Sequence, residues 1–193
     1  MIEALLVSTG VVALAEIGDK TQLLAFVLAA RYRRPLPIVA GILLATLLNH
    51  ALAGLVGAWI AALMSPEALR WVLGASFLGM AMWTLVPDRL DESDQRRGAG
   101  WGAFGATLIA FFLAEMGDKT QVATVAMVAH FAMPVVVVIG TTLGMLIANV
   151  PAVFLGERLA GRVSMRLVHG VAAAMFALLG MATLLGVGSS WLS

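Results

Sequence analysis

Six long apolar stretches, at roughly 4–30, 36–63, 67–87, 102–131, 133–156 and 164–188, take up 155 of the 193 residues. A helix needs about 20 apolar residues to cross a bilayer core, and a barrel strand needs only about 9–11. Backbone groups in lipid must be satisfied inside their own segment, so segments of this length are helices. The expected fold class is therefore an all-α integral membrane protein with six transmembrane helices. Composition agrees, with 61% hydrophobic and only 12% charged residues, where soluble domains average about 45–50% and about 25%. Polar punctuation separates the stretches: RYRRPLP at 31–37, SPE at 65–67, PDRLDESDQRRGAG at 87–100, a tight turn near Met133–Pro134, and GERLAGR at 156–162.

These connections leave little room for a water-exposed enzyme or a nucleic-acid-binding module. A formal net charge of +1 gives no reason to expect nucleic acid or another acidic partner. The absence of cysteine excludes disulfides, thiolate metal sites and cysteine nucleophiles. The N-terminus lacks the basic n-region of a secretory signal, and its apolar run continues to about residue 30, so it reads as a retained first helix.

The chain repeats itself. EIGDKTQ at 16–22 returns as EMGDKTQ at 115–121, an offset of 99 residues with six identities in seven. The same offset pairs Gly41 with Gly140, Ala53 with Ala152, Gly57 with Gly156 and Phe77 with Phe176. The expected organisation is a three-helix repeat over 1–87, a cytoplasmic linker over 88–100 and a second repeat over 101–193. An odd number of helices per repeat makes the second enter from the opposite side, the inverted-topology design of many secondary transporters. Loops on one side carry Arg31, Arg33, Arg34, Arg89, Arg96, Arg97, Arg158, Arg162 and Arg166, and the other side has only Arg70. The arginine-rich side faces the cytoplasm by the positive-inside rule, which places both termini on the non-cytoplasmic side.

Six ionisable groups sit near the middle of segments one and four: Glu16, Asp19, Lys20, Glu115, Asp118 and Lys119. A charge at mid-bilayer costs about 2.5–3.5 kcal/mol on insertion scales, so such residues mark function by default. On continuous helices Glu16 and Asp19 share a face, as do Glu115 and Asp118, with Gln22 and Gln121 extending the stripe. Inverted symmetry brings both stripes, and the Thr21 and Thr120 hydroxyls, to one point. That shell of oxygen, free of sulfur and imidazole, suits Ca²⁺, Mg²⁺ or Mn²⁺. Four carboxylates against two lysines leave −2, which one divalent ion neutralises. When the metal leaves, like-charge repulsion favours taking up protons instead, and sodium is the alternative counter-ion.

A structural reading competes: Glu16–Lys20 and Glu115–Lys119 are i,i+4 pairs and could simply neutralise themselves. It leaves Asp19 and Asp118 unexplained, so the lysines read better as charge-balancing and positioning groups. Gly18 and Gly117 permit either close helix packing or a local break, and the sequence alone does not choose. Asn149, two residues before Pro151, is an additional candidate ligand. Asn49 and His50 correspond to it roughly, and their ordinary role is an interhelical hydrogen bond. His130 and His169 read as helix-end residues, Gly140–Gly144 as a packing motif, the methionines as filler, and Trp59, Trp71, Trp101 and Trp191 as interfacial anchors. An intramembrane hydrolase using paired acids is disfavoured, because catalysis needs differentiated acid and base roles. A passive channel is a third class.

The paired Glu-x-Gly-Asp-Lys-Thr motifs, Glu16–Thr21 and Glu115–Thr120, resemble the signature of the Gdt-type Ca²⁺/Mn²⁺ cation exchanger family. That family includes Golgi calcium/manganese transporters and bacterial manganese exporters, and the resemblance covers the whole chain. It implies export of Mn²⁺, and also Ca²⁺, in exchange for protons, with no cofactor besides the transported ion. It also implies metal binding by Glu16, Asp19, Glu115 and Asp118, with Gln22 and Gln121 as neighbours. The short N-terminus fits a compact bacterial member in the inner membrane.

Overall fold

The computed structural model describes residues 1–86, 101–155 and 165–186, and within them every regular element is a helix. There are eight: α1 (Ile2–Glu16), α2 (Lys20–Tyr32), α3 (Pro35–Leu63), α4 (Pro66–Thr84), α5 (Gly102–Glu115), α6 (Lys119–Phe131), α7 (Pro134–Leu155) and α8 (Met165–Leu184). Among the described residues, three spans are long and apolar enough to cross a membrane: Pro35–Leu63, Pro134–Phe154 and Arg166–Leu184. At 1.5 Å per residue, the 29 residues of α3 measure about 43 Å, more than the roughly 30 Å of a bilayer core. Its leucines 43, 44, 47, 48, 52 and 55 are exposed along one flank, an apolar face that only lipid or a partner would cover. The linker at 88–100 and the GERLAGR connection lie outside the described residues, as does Trp191. Trp59, Trp71 and Trp101 are all exposed near helix ends.

The turns fall where the punctuation placed them. Arg33 and Ala132 adopt left-handed conformations after α2 and α6, and Pro35 and Pro134 open the next helices. Pro at a helix start gives up only an N–H that had no intrahelical partner. Ser65 caps α4 by accepting the Ala68 N–H, with Pro66 following.

Segments one and four depart from the expectation of continuous helices. Each is two short helices with a break at Ile17–Asp19 or Met116–Asp118. Gly18 has φ +85° and Gly117 has φ +78°, a region costly for residues with a Cβ. Neighbouring Ile17, Asp19, Met116 and Asp118 are extended, so the helical ladder stops before the glycine and restarts after the aspartate. Glu16 and Asp19 therefore do not share one helical face, and Glu16–Lys20 is not a helical i,i+4 pair.

The halves interlock through their long helices. Gly140 and Gly144 of α7 admit α1 so closely that a Cβ at Gly140 would collide with Ser8 Oγ. A Cβ at Gly144 would lie 2.6 Å from the Thr9 carbonyl oxygen. Moved by 99 residues, the contact recurs: Gly41 of α3 admits α5, with a Cβ there 2.7 Å from Thr107 Cβ and 2.9 Å from the Phe104 carbonyl. This bears out Gly140–Gly144 as packing. Helices α4 and α8 pair with each other at Gly74 and Gly180.

Two apolar cores result. One joins α1, α4, α6, α7 and α8 around Val12, Phe77, Met127 and Phe176. The other joins α2, α3, α5 and α7 around Leu24, Ile42, Phe111 and Val153. Helices α4 and α8 contribute only to the first.

Candidate cation site

The two helix breaks carry the polar centre of the molecule. A broken helix frees backbone groups, and each break is closed by the glutamine that follows it. Gly18 N–H donates to Gln22 Oε1 at 3.0 Å, and Gly117 N–H donates to Gln121 Oε1 at 2.8 Å. Asp19 N–H bonds to the Glu16 carbonyl, and Asp118 N–H to that of Glu115. The glutamines then reach across to the other half. Gln22 Nε2 donates to the Ala148 carbonyl at 2.9 Å, and Gln121 Nε2 donates to Asn49 Oδ1 at 3.4 Å. Asn49 in turn donates to the Phe112 carbonyl. Gln22 and Gln121 thus brace the breaks. The sequence signal for this was their fixed place four residues after the glycine.

The carboxylates are sealed in. Glu16, Asp19, Glu115 and Asp118 are at most 4% exposed. Thr21 Oγ1 donates to Glu16 Oε2 at 2.6 Å and Thr120 Oγ1 to Glu115 Oε2 at 3.1 Å, each fixing one oxygen of its glutamate. The other oxygen of each, Glu16 Oε1 and Glu115 Oε1, is buried without a hydrogen-bond partner, as is Asp118 Oδ2. Asp19 and Asp118 stand at the N-cap positions of α2 and α6, yet neither side chain caps its helix. An N-cap aspartate ordinarily accepts a backbone N–H of the first turn. Here the carboxylates turn to the opposite half: Lys119 Nζ lies 3.2 Å from Asp19 Oδ1, and Lys20 Nζ lies 3.3 Å from Asp118 Oδ1. Charge balance by the lysines is thus exchanged between the repeats.

Glu16, Asp19 and Asp118 each offer a carboxylate oxygen within 4.8 Å of the other two. Metal–oxygen bonds of roughly 2.0–2.6 Å place ligand oxygens about 3–5 Å apart around one ion, so this trio has the spacing of a hard divalent site. The C-termini of α1 and α5 also end here, and their negative dipole ends favour a cation. Glu115 stands outside the trio, although it interacts electrostatically with Glu16, Asp118 and Asp19.

Asn149, His50, His130 and His169 are the other polar residues the sequence singles out. Asn149 donates to the carbonyl and to Sδ of Met145 in its own helix, and its buried Oδ1 has no partner. His50, at the position equivalent to Asn149 by the 99-residue offset, is fully buried with neither ring nitrogen hydrogen-bonded. His130 packs edge-on against Phe77 and Phe131. His169 is buried near the start of α8.

A chain with buried acids meeting at paired helix breaks belongs with membrane transporters of cations, and sequence comparison defines the class. The family described as "Divalent cation/proton antiporter GDT1" matches residues 4–92 and again 103–190. The chain belongs to that family, which is one of transporters rather than enzymes.

Among its relatives is a protein of Vibrio cholerae described as "Putative manganese exporter", 52% identical over 186 residues, 95% of this chain and 91% of that protein. The GDT1-like protein sll0615 of Synechocystis is 30% identical over 185 residues, 86% of this chain and 88% of its own. GDT1-like protein 5 of Arabidopsis thaliana is 29% identical over 210 residues, covering 89% and 91%. No solved structure matches the chain.

Proposed function

We propose that this protein exports Mn²⁺ from the cytoplasm in exchange for protons, as a secondary transporter of the bacterial inner membrane working by alternating access. The observation that carries the reading is the buried trio of Glu16, Asp19 and Asp118, whose oxygens lie within 4.8 Å of one another. Orphaned oxygens on Glu16 and Asp118 add to it. Burying such groups without a partner is costly, and a divalent cation supplies the partner. Glu115 joins as an outer carboxylate, Thr21 and Thr120 orient the two glutamates, and Gln22 and Gln121 brace the breaks.

The membrane topology follows the same reading. The helices α1 and α2 together make one crossing, as do α5 and α6, and α3, α4, α7 and α8 make one each, six in all. Three crossings per half invert the second half relative to the first. The arginine count puts the loops after α2, α4 and α7 in the cytoplasm and both termini outside. The V. cholerae relative's description supports Mn²⁺ as cargo, and the family's description supports protons as counter-ion. A site charge of −2 that a divalent ion neutralises would be neutralised as well by two protons.

A Ca²⁺/H⁺ exchanger is the second reading, favoured by a donor set made only of oxygen. Proteoliposomes with a proton gradient imposed across them test both. Saturable uphill Mn²⁺ flux with opposed proton movement is the expected result. Ca²⁺ flux that exceeds Mn²⁺ flux would select the second reading. Flux of neither ion, or flux indifferent to the gradient, would defeat the exchanger reading.

A further inference from the structure

Three carboxylates of the trio and two ammonium groups compete for the same few ångströms, and the structure treats the two lysines differently. We propose that Lys20 is a tethered stand-in for the transported ion: it holds Asp118 until a divalent cation arrives, then passes to Glu115, while the Lys119–Asp19 pair stays closed. The inference rests on the cation-site reading above and adds a moving part to it.

Four observations carry it. Asp118 belongs to the trio and also lies 3.3 Å from Lys20, so an entering cation meets an ammonium on one of its own ligands. The lysines differ in freedom: the Lys20 side chain is 20% exposed, against 1% for Lys119. Withdrawing Lys119 would strip charge compensation from a fully enclosed pair, which is expensive, whereas Lys20 has room to move. The wall beside Asp118 is also open, because a Cβ on Gly117 would meet nothing within 4 Å. The fourth observation supplies the destination. Glu115 lies outside the trio and keeps a buried Oε1 unpartnered.

The charges then close. With Lys20 on Glu115, that pair is neutral, and the divalent ion with Lys119 neutralises the three carboxylates of the trio. The flexible four-carbon stem of Lys20 carries the ammonium in this move. No bond is made or broken and no proton is transferred.

Mn²⁺ binding to the purified full-length protein tests the idea with five variants. Lys20→Met removes the competitor and is expected to tighten binding about tenfold, or about 1.4 kcal/mol. Lys20→Arg keeps the charge but grips Asp118 with a two-pronged fork, so it is expected to weaken binding several-fold. That opposite sign separates displacement from simple repulsion. Glu115→Gln, which removes the acceptor, weakens binding more in the wild-type background than when combined with Lys20→Met. Lys119→Met does not tighten binding.

Equal or weaker binding by a folded Lys20→Met protein, or equal tightening by Lys119→Met, overturns the displacement while leaving the site intact. If Lys20→Met does not fold, Lys20→Arg decides: binding as tight as wild type overturns the inference. A wild-type protein that binds neither Mn²⁺ nor Ca²⁺ sinks the site and the displacement together.

Discussion

The two heptapeptides differ at one position in seven, yet they sit in unlike surroundings. Asp19 and Lys119 are sealed at 0% and 1% side-chain exposure, and Asp118 and Lys20 stand at 3% and 20%. Glu16 joins the trio of converging carboxylates and Glu115 does not. Gln22 reaches a backbone carbonyl, while Gln121 reaches the Asn49 side chain.

The helix packing differs in the same sense. The helix α1 packs on α8 and α6 on α4, whereas the equivalent pairs, α5 with α4 and α2 with α8, make no comparable contact among the described residues. Helices α4 and α8 therefore brace one end of the site and not the other. A duplicated sequence fixes the local break twice; the packing around it makes one cross-repeat pair, Asp19–Lys119, tight and leaves the other, Asp118–Lys20, more accessible. Two unlike ends are what a carrier requires in any single state of its cycle.

The largest predicted effect bears on the aspartates. Asp19→Asn and Asp118→Asn each abolish Mn²⁺ flux in proteoliposomes, because each removes a member of the trio. They differ in stability. Asp19→Asn takes the carboxylate from a fully buried ammonium, a loss of about 3–5 kcal/mol for buried pairs. Asp118→Asn costs less, about 1–2 kcal/mol, because Lys20 keeps space to rearrange. Thermal unfolding of the two variants in detergent reads the difference directly, and equal losses would erase the contrast between the two pairs.

Next in size is close packing, where the halves are expected to agree. Gly140→Val and Gly41→Val both force helices apart at equivalent contacts, at a cost of about 1–3 kcal/mol each for overpacking. A large drop in melting temperature for one and none for the other would break the structural equivalence of α1–α7 with α5–α3.

Gly18→Ala and Gly117→Ala come third. Both place a Cβ on a left-handed backbone, costing roughly 1–2 kcal/mol. At Gly117 that conformational cost stands alone, since a Cβ there touches nothing within 4 Å. The measurement is transport rate beside melting temperature, and an unchanged Gly117→Ala protein would count against the break as a working feature.

The smallest effect concerns Asn49. A double-mutant cycle of Asn49→Ala with Gln121→Ala is expected to show coupling of about 0.6 kcal/mol, typical of hydrogen bonds between membrane helices. Asn49→Ala with Gln22→Ala should show none.

Residue order alone determined the all-helical class, the turn positions at Pro35, Ser65–Pro66 and Pro134, the duplication, and the acidic positions. Lipid leaves backbone groups few options, and charges in apolar segments are too expensive to be incidental. Four things waited for tertiary structure. Gly18 and Gly117 break their helices instead of packing them, because extended neighbours and a bracing glutamine make the positive φ tenable. The lysines exchange partners between halves, a contact between residues about 99 positions apart. Gln22 and Gln121 serve the backbone, a role composition cannot separate from ligation. And the unequal exposure of two nearly identical motifs depends on where α4 and α8 pack, since a local sequence specifies its own backbone but not which distant helix covers it.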